Sequence, residues 1–140
     1  MLDTNVLSEA RRSGGSERVR RLLRQVGDAG LFISVLTLGE IRSGIERLPE
    51  NDKRRALTHW LAELRERYAS RILVVDADVA DRWGSLAADL AQRGRPLPAV
   101  DLLLAATALT HGLAIATRNV RDFAATGVDL VDPWTDELPS

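Results

Sequence analysis

The sequence predicts a single α/β domain over residues 1–140, in which a parallel sheet is covered by helices. Apolar residues recur at helical spacing in several stretches, and short apolar runs lie between these stretches. Strands that alternate with helices are typical of parallel sheets with right-handed crossovers. The length of 140 residues and the 45% hydrophobic content suit one domain with a sizeable core. We expect residues 131–140 to form a C-terminal tail.

Five helices are predicted. Four of them are amphipathic, and each has one apolar stripe to bury. The stripes lie within residues 19–26, 38–48, 57–68 and 79–90. Pro49 closes the second helix, and Gly94 and Pro96 end the fourth. The stretch 99–106 is apolar on nearly every side apart from one acid, which predicts a buried helix.

The predicted strands are short and covered on both faces. The first ends at residues 1–2, and the others lie at 31–33, 72–75, 113–116 and 130–131. In a parallel sheet of this kind, ligands bind beyond the carboxyl ends of the strands. We therefore sort the twenty acidic residues by their position relative to those ends.

Composition excludes several classes of function. The chain has no cysteine, which rules out disulfides, thiolate zinc sites and a cysteine nucleophile, and two histidines are too few for a histidine-rich metal site. The longest stretch without a formal charge, residues 102–117, is shorter than the roughly 20 residues that span a bilayer. No basic leader is visible at the start of the chain. We expect a cytoplasmic protein without a membrane segment.

The net charge of −1 means that any nucleic-acid binding depends on a local patch. Arginine outnumbers lysine eighteen to one, which genomic base composition largely explains. The consequence is still physical, because the planar guanidinium group binds phosphate oxygens in a forked geometry that lysine lacks.

Asp3 is the first acid that meets the positional criterion. It follows the first predicted strand directly and precedes Thr4 and Asn5. All three residue types cap helices well, so a helix cap is the alternative explanation for this stretch. The position of Asp3 at a strand end also supports a second interpretation, that its carboxylate lies where a ligand would bind.

Three further acids lie at comparable positions. Glu40 lies early in the helix after the second strand, although it could also be a solvated helix residue. Asp101 lies near the start of the apolar helix, where burying a lone carboxylate costs several kcal/mol unless it is paired or bound to metal. The alternative explanation for Asp101 is a favourable interaction with the dipole at the start of the helix. Asp122 follows the fourth predicted strand, which covers residues 113–116. A turn or cap residue is the alternative explanation for Asp122.

Asp76 and Asp78 also follow a strand, but they open an ordinary amphipathic helix and are interpreted as caps. Other sites on the same topology are excluded by their missing residues. A haloacid-dehalogenase phosphatase needs an aspartate where Asn5 stands, and a receiver domain needs a lysine late in the sheet, whereas the only lysine is Lys53 in a helical segment. No glycine-rich nucleotide-binding loop occurs.

Several carboxylates at one end of a sheet, without cysteine or histidine, make an all-oxygen site that suits Mg²⁺ or Mn²⁺. Without metal, such acids repel one another and raise each other's pKa. A divalent ion relieves the repulsion, binds a substrate phosphate and activates water. With arginine nearby, this chemistry favours hydrolysis of phosphodiester bonds.

Four stretches, taken in order and spacing, resemble the PIN-domain ribonucleases, and among them the VapC/FitB-like toxins of bacterial type II toxin–antitoxin systems. They are LDTNVLSE at 2–9, ISVLTLGEI at 33–41, PAVDLLLAATA at 98–108 and TRNVRDF at 117–123. The resemblance spans about residues 1–131. It implies a five-stranded parallel sheet in a Rossmann-like three-layer sandwich and Mg²⁺-dependent endoribonuclease activity, with Mn²⁺ as a substitute ion.

The resemblance also assigns residues. Asp3, Glu40 and Asp101 match the family's acidic metal-site positions. Asp122 matches an acid of the last motif, but Asn119 occupies a position where many relatives carry aspartate, so the fourth ligand is open between these two.

Further site members follow from the same comparison of motifs. Thr117 matches a hydroxyl that contacts substrate or water, and Asn5 is an additional site candidate. Relatives usually carry more apolar residues before the first aspartate, so we expect either a short first strand or a chain that begins late. By position, Arg118 and Arg121, which flank the last acidic motif, are RNA-binding candidates. Arg11 and Arg12, in an arginine-rich segment, are candidates too, with a solvated helix face as the alternative.

The resemblance implies three partners: an RNA substrate, a small DNA-binding antitoxin that blocks the site, and a second copy of the chain. The homodimer would join the antitoxin in a larger complex. Two other functions stay open at this point. One is a weakly active or inactive PIN-fold binding module that works through its antitoxin, and the other is an RNA-processing nuclease that is not a toxin. Retention of the three core acids favours an active enzyme.

Overall fold

The computed structural model describes residues 1–136, which form seven α-helices, three short 3-10 turns and four strands. The helices are α1 Thr4–Arg11, α2 Glu17–Val26, α3 Val35–Glu46, α4 Asp52–Arg67, α5 Ala77–Gln92, α6 Ala99–Thr110 and α7 Val120–Phe123. The strands are β1 Ile33–Ser34, β2 Ile72–Leu73, β3 Ile115–Ala116 and β4 Leu130–Val131. The alternating α/β architecture is as predicted.

The strands form two small parallel sheets, β1 with β2 and β3 with β4. Residues 1–3 lie between the sheets. Leu2 forms a single parallel bridge with Ala116, and its N–H donates to the Phe32 carbonyl at 2.8 Å. The five-stranded sheet implied by the resemblance is therefore not confirmed in the described residues, because the first segment forms one bridge where a strand was expected.

Two strands are shorter than predicted. Strand β2 stops at Leu73, before the exposed Val74 and Val75. Strand β3 begins at Ile115, after Leu113, whose N–H still bonds to the Ala108 carbonyl of α6.

At Ser34 and Asp3, helices begin directly after the parallel segments. Ser34 ends β1 and also caps α3, where its Oγ accepts a hydrogen bond from the Leu36 N–H at 3.0 Å. Asp3 caps α1 in the same way, directly after the Leu2 bridge. A side-chain cap satisfies one of the free N–H groups of a helix start, so the chain turns into the helix at the strand end.

Two apolar clusters flank the strand layer. Met1 and Ile115 pack in one cluster, whereas the residues that follow them, Leu2 and Ala116, pack in the other. Successive residues of an extended segment point to opposite faces, so the two clusters lie on opposite sides of the layer. The cluster that contains Leu2 and Ala116, which we call the first cluster, is covered by α1 to α4. The second cluster, which contains Met1 and Ile115, is covered by α5 to α7.

The predicted helices correspond to α2 to α6. The apolar helix α6 is buried along most of its length, at Leu102 and over residues 104–108. Its first turn is open, however: Val100 is 39% exposed and Asp101 is half-buried, so Asp101 lies at a solvent boundary and is not enclosed. Among residues 1–136, no helix combines the length and the apolar character that crossing a membrane requires.

The sequence does not predict α1, because its eight residues carry too short an apolar stripe for periodicity to identify. Beyond β4, Pro133 is fully buried and Trp134 packs against the first cluster, both within the predicted tail. The last part of that tail, residues 137–140, lies outside the described residues.

Candidate active site

Asp3 lies where the order of neighbouring chain segments reverses. Backbone hydrogen bonds place the parallel segments side by side in the order β2, β1, residues 1–2, β3, β4. In doubly wound α/β proteins, the crevice at such a reversal is the usual ligand site. Asp3 and Thr117 flank this crevice at the carboxyl ends of their segments, and Asp3 N–H donates to the Ala116 carbonyl at 3.0 Å.

Both carboxylate oxygens of Asp3 are held. Its Oδ1 accepts a hydrogen bond from the Thr4 N–H at 2.8 Å, and its Oδ2 accepts one from the Thr117 hydroxyl at 2.7 Å. Asp3 is therefore a helix cap, as its alternative explanation proposed, and also a member of the strand-end site. An ionised carboxylate has about four acceptor positions, so two hydrogen bonds leave room for a cation.

Thr117 is the fully buried centre of a small polar network. Its oxygen accepts hydrogen bonds from the Asn119 N–H at 3.0 Å and from Asn5 Nδ2 at 3.3 Å. The Asn5 side-chain oxygen accepts one from the Arg118 N–H at 3.4 Å. These contacts fix the loop after β3 against α1, so the predicted site members Asn5 and Thr117 lie behind Asp3 and hold it in place.

Glu40 reaches the same crevice from α3. Its Oε1 accepts a hydrogen bond from the Thr4 hydroxyl at 3.3 Å, which joins α3 to the start of α1. Partial burial raises the pKa of Glu40, the negative charges of Asp3 and, more weakly, Asp101 raise it further, and the Thr4 hydrogen bond opposes the shift. Glu40 is thus a member of an acidic group and not an isolated surface residue.

Asp101 approaches from the first turn of α6. Partial burial raises its pKa most, followed by the negative charges of Asp3 and Asp122. Asp122, in α7, therefore lies within electrostatic range of Asp101. For Asn119 the structure shows a backbone hydrogen bond to Thr117 and no side-chain cap bond. Of the two candidates for the fourth position, Asp122 is the one whose charge reaches the other acids.

The chemistry of this group fits a hard divalent cation, because every donor is oxygen. Within residues 1–136, however, no three acidic or histidine side chains are already arranged as a metal site. In the described residues the acidic group, which we define as Asp3, Glu40, Asp101 and Asp122, therefore lies around the crevice without forming a preformed metal site, and we call the crevice with these four acids the acidic cleft. Mg²⁺ suits such a cleft better than Ca²⁺ does, since it keeps several of its own waters and needs few protein ligands.

The four predicted RNA-binding arginines have different surroundings. Arg11 lies over the Trp60 ring, 5.5 Å from its centroid, and Arg12 pairs with Glu9 at 2.9 Å. Both are at the far end of α1, about 12 Å along the helix from Asp3 at 1.5 Å per residue. Arg118 and Arg121 flank the crevice on the loop after β3 and on α7, and both are exposed.

Two contacts of the site were not anticipated from the sequence. Thr4 joins Asp3 to Glu40, and the Arg118 guanidinium lies over the Trp134 ring, 4.8 Å from its centroid. Each contact joins segments far apart in the chain, so no local pattern indicates it. A groove of about 260 Å³ also opens beside Glu40, between α1, α3 and α4, and is lined by apolar residues including Ile45, Leu48 and Trp60.

Comparison with known proteins places this cleft in context. A family model described as PIN domain matches residues 1–128, a range that includes all four acids. The VapC ribonuclease Y4jK of Sinorhizobium fredii is 31% identical over 96% of this chain and 96% of its own length. Toxin FitB of Neisseria gonorrhoeae is 34% identical over 97% of this chain and 99% of its own.

A solved structure gives the same picture. The structure of FitAB bound to an IR36 DNA fragment contains a chain that superposes with a TM-score of 0.89 at 32% identity, covering 98% of this chain and 96% of that one. The likeness thus extends over nearly the whole length of both chains.

Proposed function

This chain belongs to the PIN-domain family, and from that premise we propose that it is a Mg²⁺-dependent endoribonuclease and the toxin of a type II toxin–antitoxin pair. The reaction is hydrolysis of RNA phosphodiester bonds. Relatives that match over nearly the full length are named as a VapC ribonuclease and as a toxin, which supports both parts of the proposal.

The observation that carries the proposal is the convergence of carboxylates from separate elements on one crevice. Asp3 follows the first segment, Glu40 lies on α3 and Asp101 on α6, yet each of the last two has a pKa raised in part by the charge of Asp3. Keeping such charges together costs free energy unless a cation offsets it. A site that only stabilised the fold would not need this arrangement.

The residues divide into two groups by role. Asp3, Glu40 and Asp101, with Asp122 at the edge, would hold Mg²⁺, or Mn²⁺ in its place. Bound there, the ion supplies charge for a scissile phosphate and lowers the pKa of a water molecule. Thr117 and Thr4 hold Asp3 at both oxygens, which fixes the carboxylate before any ion or substrate arrives.

As a toxin, the protein would be blocked by a small DNA-binding antitoxin and would act in the cytoplasm on RNA. The apolar groove beside Glu40 offers a place for an amphipathic antitoxin segment, because an occupant there would also contact Glu40 of the acidic group. We also expect a homodimer within a larger toxin–antitoxin complex. The exposed valines, Val74 at 55% and Val100 at 39%, are candidates for burial in such contacts.

A second function, that of a weakly active or inactive binding module, is favoured by one observation. Among residues 1–136 the acids are close enough to influence one another's pKa, but no three of them are spaced so that they could hold one ion together. In that case the fold would serve only to bind the antitoxin.

The decisive experiment incubates the purified protein with RNA in Mg²⁺ and, separately, in EDTA. Cleavage that requires Mg²⁺ and is lost in Asp101→Asn supports the enzyme. Cleavage that continues in EDTA contradicts the metal dependence, and tight antitoxin binding without cleavage supports the binding module. Growth inhibition on expression, relieved by co-expressing a small DNA-binding protein encoded directly upstream, tests the toxin assignment separately.

A further inference from the structure

The arginine next to the buried threonine of the site is held from two sides. The Arg118 backbone N–H donates to Asn5 Oδ1 at 3.4 Å, and its guanidinium lies over the Trp134 ring at 4.8 Å. Thr117, the preceding residue, donates to Asp3. Arg118 is thus restricted at both the backbone and the side chain although it is exposed.

The ring that carries Arg118 is itself firmly placed. Trp134 packs against the first apolar cluster, and the preceding residue, Pro133, is fully buried. The Trp134 N–H donates to Asp132 Oδ1 at 2.9 Å, and Arg18 of α2 donates to the Thr135 carbonyl at 2.9 Å. Residues 132–135 are thus fixed to the domain at several points, and the indole ring is a rigid support.

The charge of Arg118 is not neutralised within the described part of the chain. No acidic side chain of residues 1–136 lies within 4 Å of its guanidinium nitrogens, whereas Arg12, Arg24 and Arg54 each have such a partner. An aromatic face holds a guanidinium in place without using its N–H donors, all of which lie in the plane of the group. Arg118 is therefore positioned with its hydrogen-bonding edge available.

We infer that Trp134 is a positioning residue that holds Arg118, one residue beyond the Thr117–Asp3 contact, so that Arg118 binds a backbone phosphate of RNA bound at the acidic cleft. The inference rests on the proposed function, since it presupposes an RNA substrate. A cation placed beside an acidic cleft offsets the repulsion between that cleft and a polyanion. The planar guanidinium also suits the forked geometry of a phosphate.

The test measures binding of a fluorescein-labelled single-stranded RNA in EDTA, by anisotropy at several salt concentrations. Arg118→Gln should weaken binding about tenfold, the cost of one charged hydrogen-bonded contact, and reduce the slope of log K against log salt by about 0.7. Trp134→Leu keeps apolar bulk but removes the ring, and should weaken binding about threefold. Trp134→Phe keeps a ring and should weaken it less.

The coupling between the two residues separates positioning from a general structural effect. In the Arg118→Gln background, Trp134→Leu or Trp134→Phe should have no further effect, because the group that the ring positions is gone. Trp60, which carries Arg11 in a similar contact, is the matched control: the effect of Trp60→Leu should add to that of Arg118→Gln.

Three outcomes would overturn the inference. One is equal weakening by Trp134→Leu in both backgrounds, which would show that Trp134 acts only through the fold. Another is unchanged binding and salt slope in Arg118→Gln while the wild type cleaves RNA, which leaves the proposed function intact. If the wild type neither binds nor cleaves RNA, the inference and the proposed function both fail. Should Trp134→Leu not fold, Trp134→Phe in the two backgrounds decides the same question.

Discussion

Asp3 and Asp76 are locally alike and differ in their surroundings. Each follows a parallel segment and caps a helix, Asp3 through its bond from the Thr4 N–H and Asp76 through one from the Val79 N–H at 2.9 Å. Asp3 lies in the middle of the strand layer and contributes to the raised pKa of two other acids. Asp76 follows β2, which pairs only with β1 in the described residues, and it is exposed.

The difference shows that the position of an aspartate in the strand layer, more than its local hydrogen bonding, decides whether it belongs to a site or serves only as a helix cap. Elements on both sides of the central segment bring Thr117, Glu40 and Asp101 to Asp3. At the edge, neighbours come from one side only, and the carboxylate of Asp76 remains in solvent. Two aspartates of the same local role thus provide a matched pair for experiment.

The largest expected effect comes from changing each of them to asparagine. Asparagine caps a helix about as well as aspartate, so Asp76→Asn should keep wild-type stability to within about 0.5 kcal/mol. In Asp3→Asn the loss of a repelling charge stabilises the fold, whereas the loss of an acceptor for the buried Thr117 hydroxyl destabilises it, so the melt of this variant serves to show that it is folded. Asp3→Asn removes a charge from the proposed metal site and should slow RNA cleavage at least about a hundredfold. Asp76→Asn should cleave at the wild-type rate.

Gel-based cleavage assays in Mg²⁺, with thermal melts of all three proteins, measure both quantities. Loss of cleavage in Asp76→Asn with an unchanged melt would show that the acids are grouped wrongly. Wild-type cleavage in Asp3→Asn would exclude Asp3 from the site altogether.

The matched pair also shows what the sequence could and could not predict. The acids were identified because strand ends and an acid in an apolar helix can be seen in the chain. The polar network behind Asp3 could not be predicted, because its contacts join residues far apart in the sequence. Thr4 and Glu40 are 36 positions apart, and Asp3 and Thr117 are 114 positions apart. Strands β2 and β3 were predicted too long, because an apolar run does not show that Val74 and Val75 are exposed or that Leu113 still bonds to α6.

A smaller effect, on RNA binding, is expected from changing the arginines near Asp3 and those on the helix that Asp76 caps. Arg118 and Arg121 flank the central crevice, whereas Arg82 lies on α5, the helix that Asp76 caps. Changing both Arg118 and Arg121 to glutamine should weaken RNA binding and flatten its salt dependence, because two phosphate contacts are removed. Arg82→Gln should leave the slope as it is in wild type. An unchanged slope in the double variant would remove both arginines from the RNA interface.

The repulsion around Asp3 should also be visible in stability, without any activity. Asp101→Asn removes one charge from the acidic group, worth about 1 kcal/mol between solvated charges about 4 Å apart, against a loss of a few tenths from the α6 dipole at an exposed first turn. The metal-free variant should therefore melt higher than wild type, by up to about 3 °C. Its stabilisation by Mg²⁺ should shrink, because metal stabilises only the state that binds it.

Melts with and without Mg²⁺ at fixed ionic strength test this prediction. A residue that interacts only with the helix dipole would behave in the opposite way: its replacement by asparagine would lower the melting temperature slightly. Asp101 is no ligand if its variant melts lower than wild type and responds to Mg²⁺ just as wild type does.

The smallest expected effect is a change in how stability depends on pH. Below its ordinary pKa range, Glu40 is protonated in both the folded and the unfolded chain and costs nothing. As the pH rises, the unfolded chain loses this proton first, because partial burial and Asp3 raise the folded pKa. The contribution of Glu40 to the free energy of unfolding therefore falls until the pH passes its folded pKa, and is constant above that pH.

Glu40→Gln cannot ionise, so its free energy of unfolding relative to wild type should increase as the pH rises from about 4, and should level off once the pH passes the folded pKa of Glu40. Repeating the Glu40→Gln measurement in the Asp3→Asn and Asp76→Asn backgrounds shows how much of the effect depends on Asp3. In an Asp3→Asn background the gain should shrink but not vanish, since burial, the larger cause of the shift, is still present. In an Asp76→Asn background the gain should be unchanged. Urea denaturation of the metal-free proteins at several pH values measures it. Equal gains in the two backgrounds would mean that Asp3 does not act on Glu40, and that the central and edge aspartates differ less than the fold indicates.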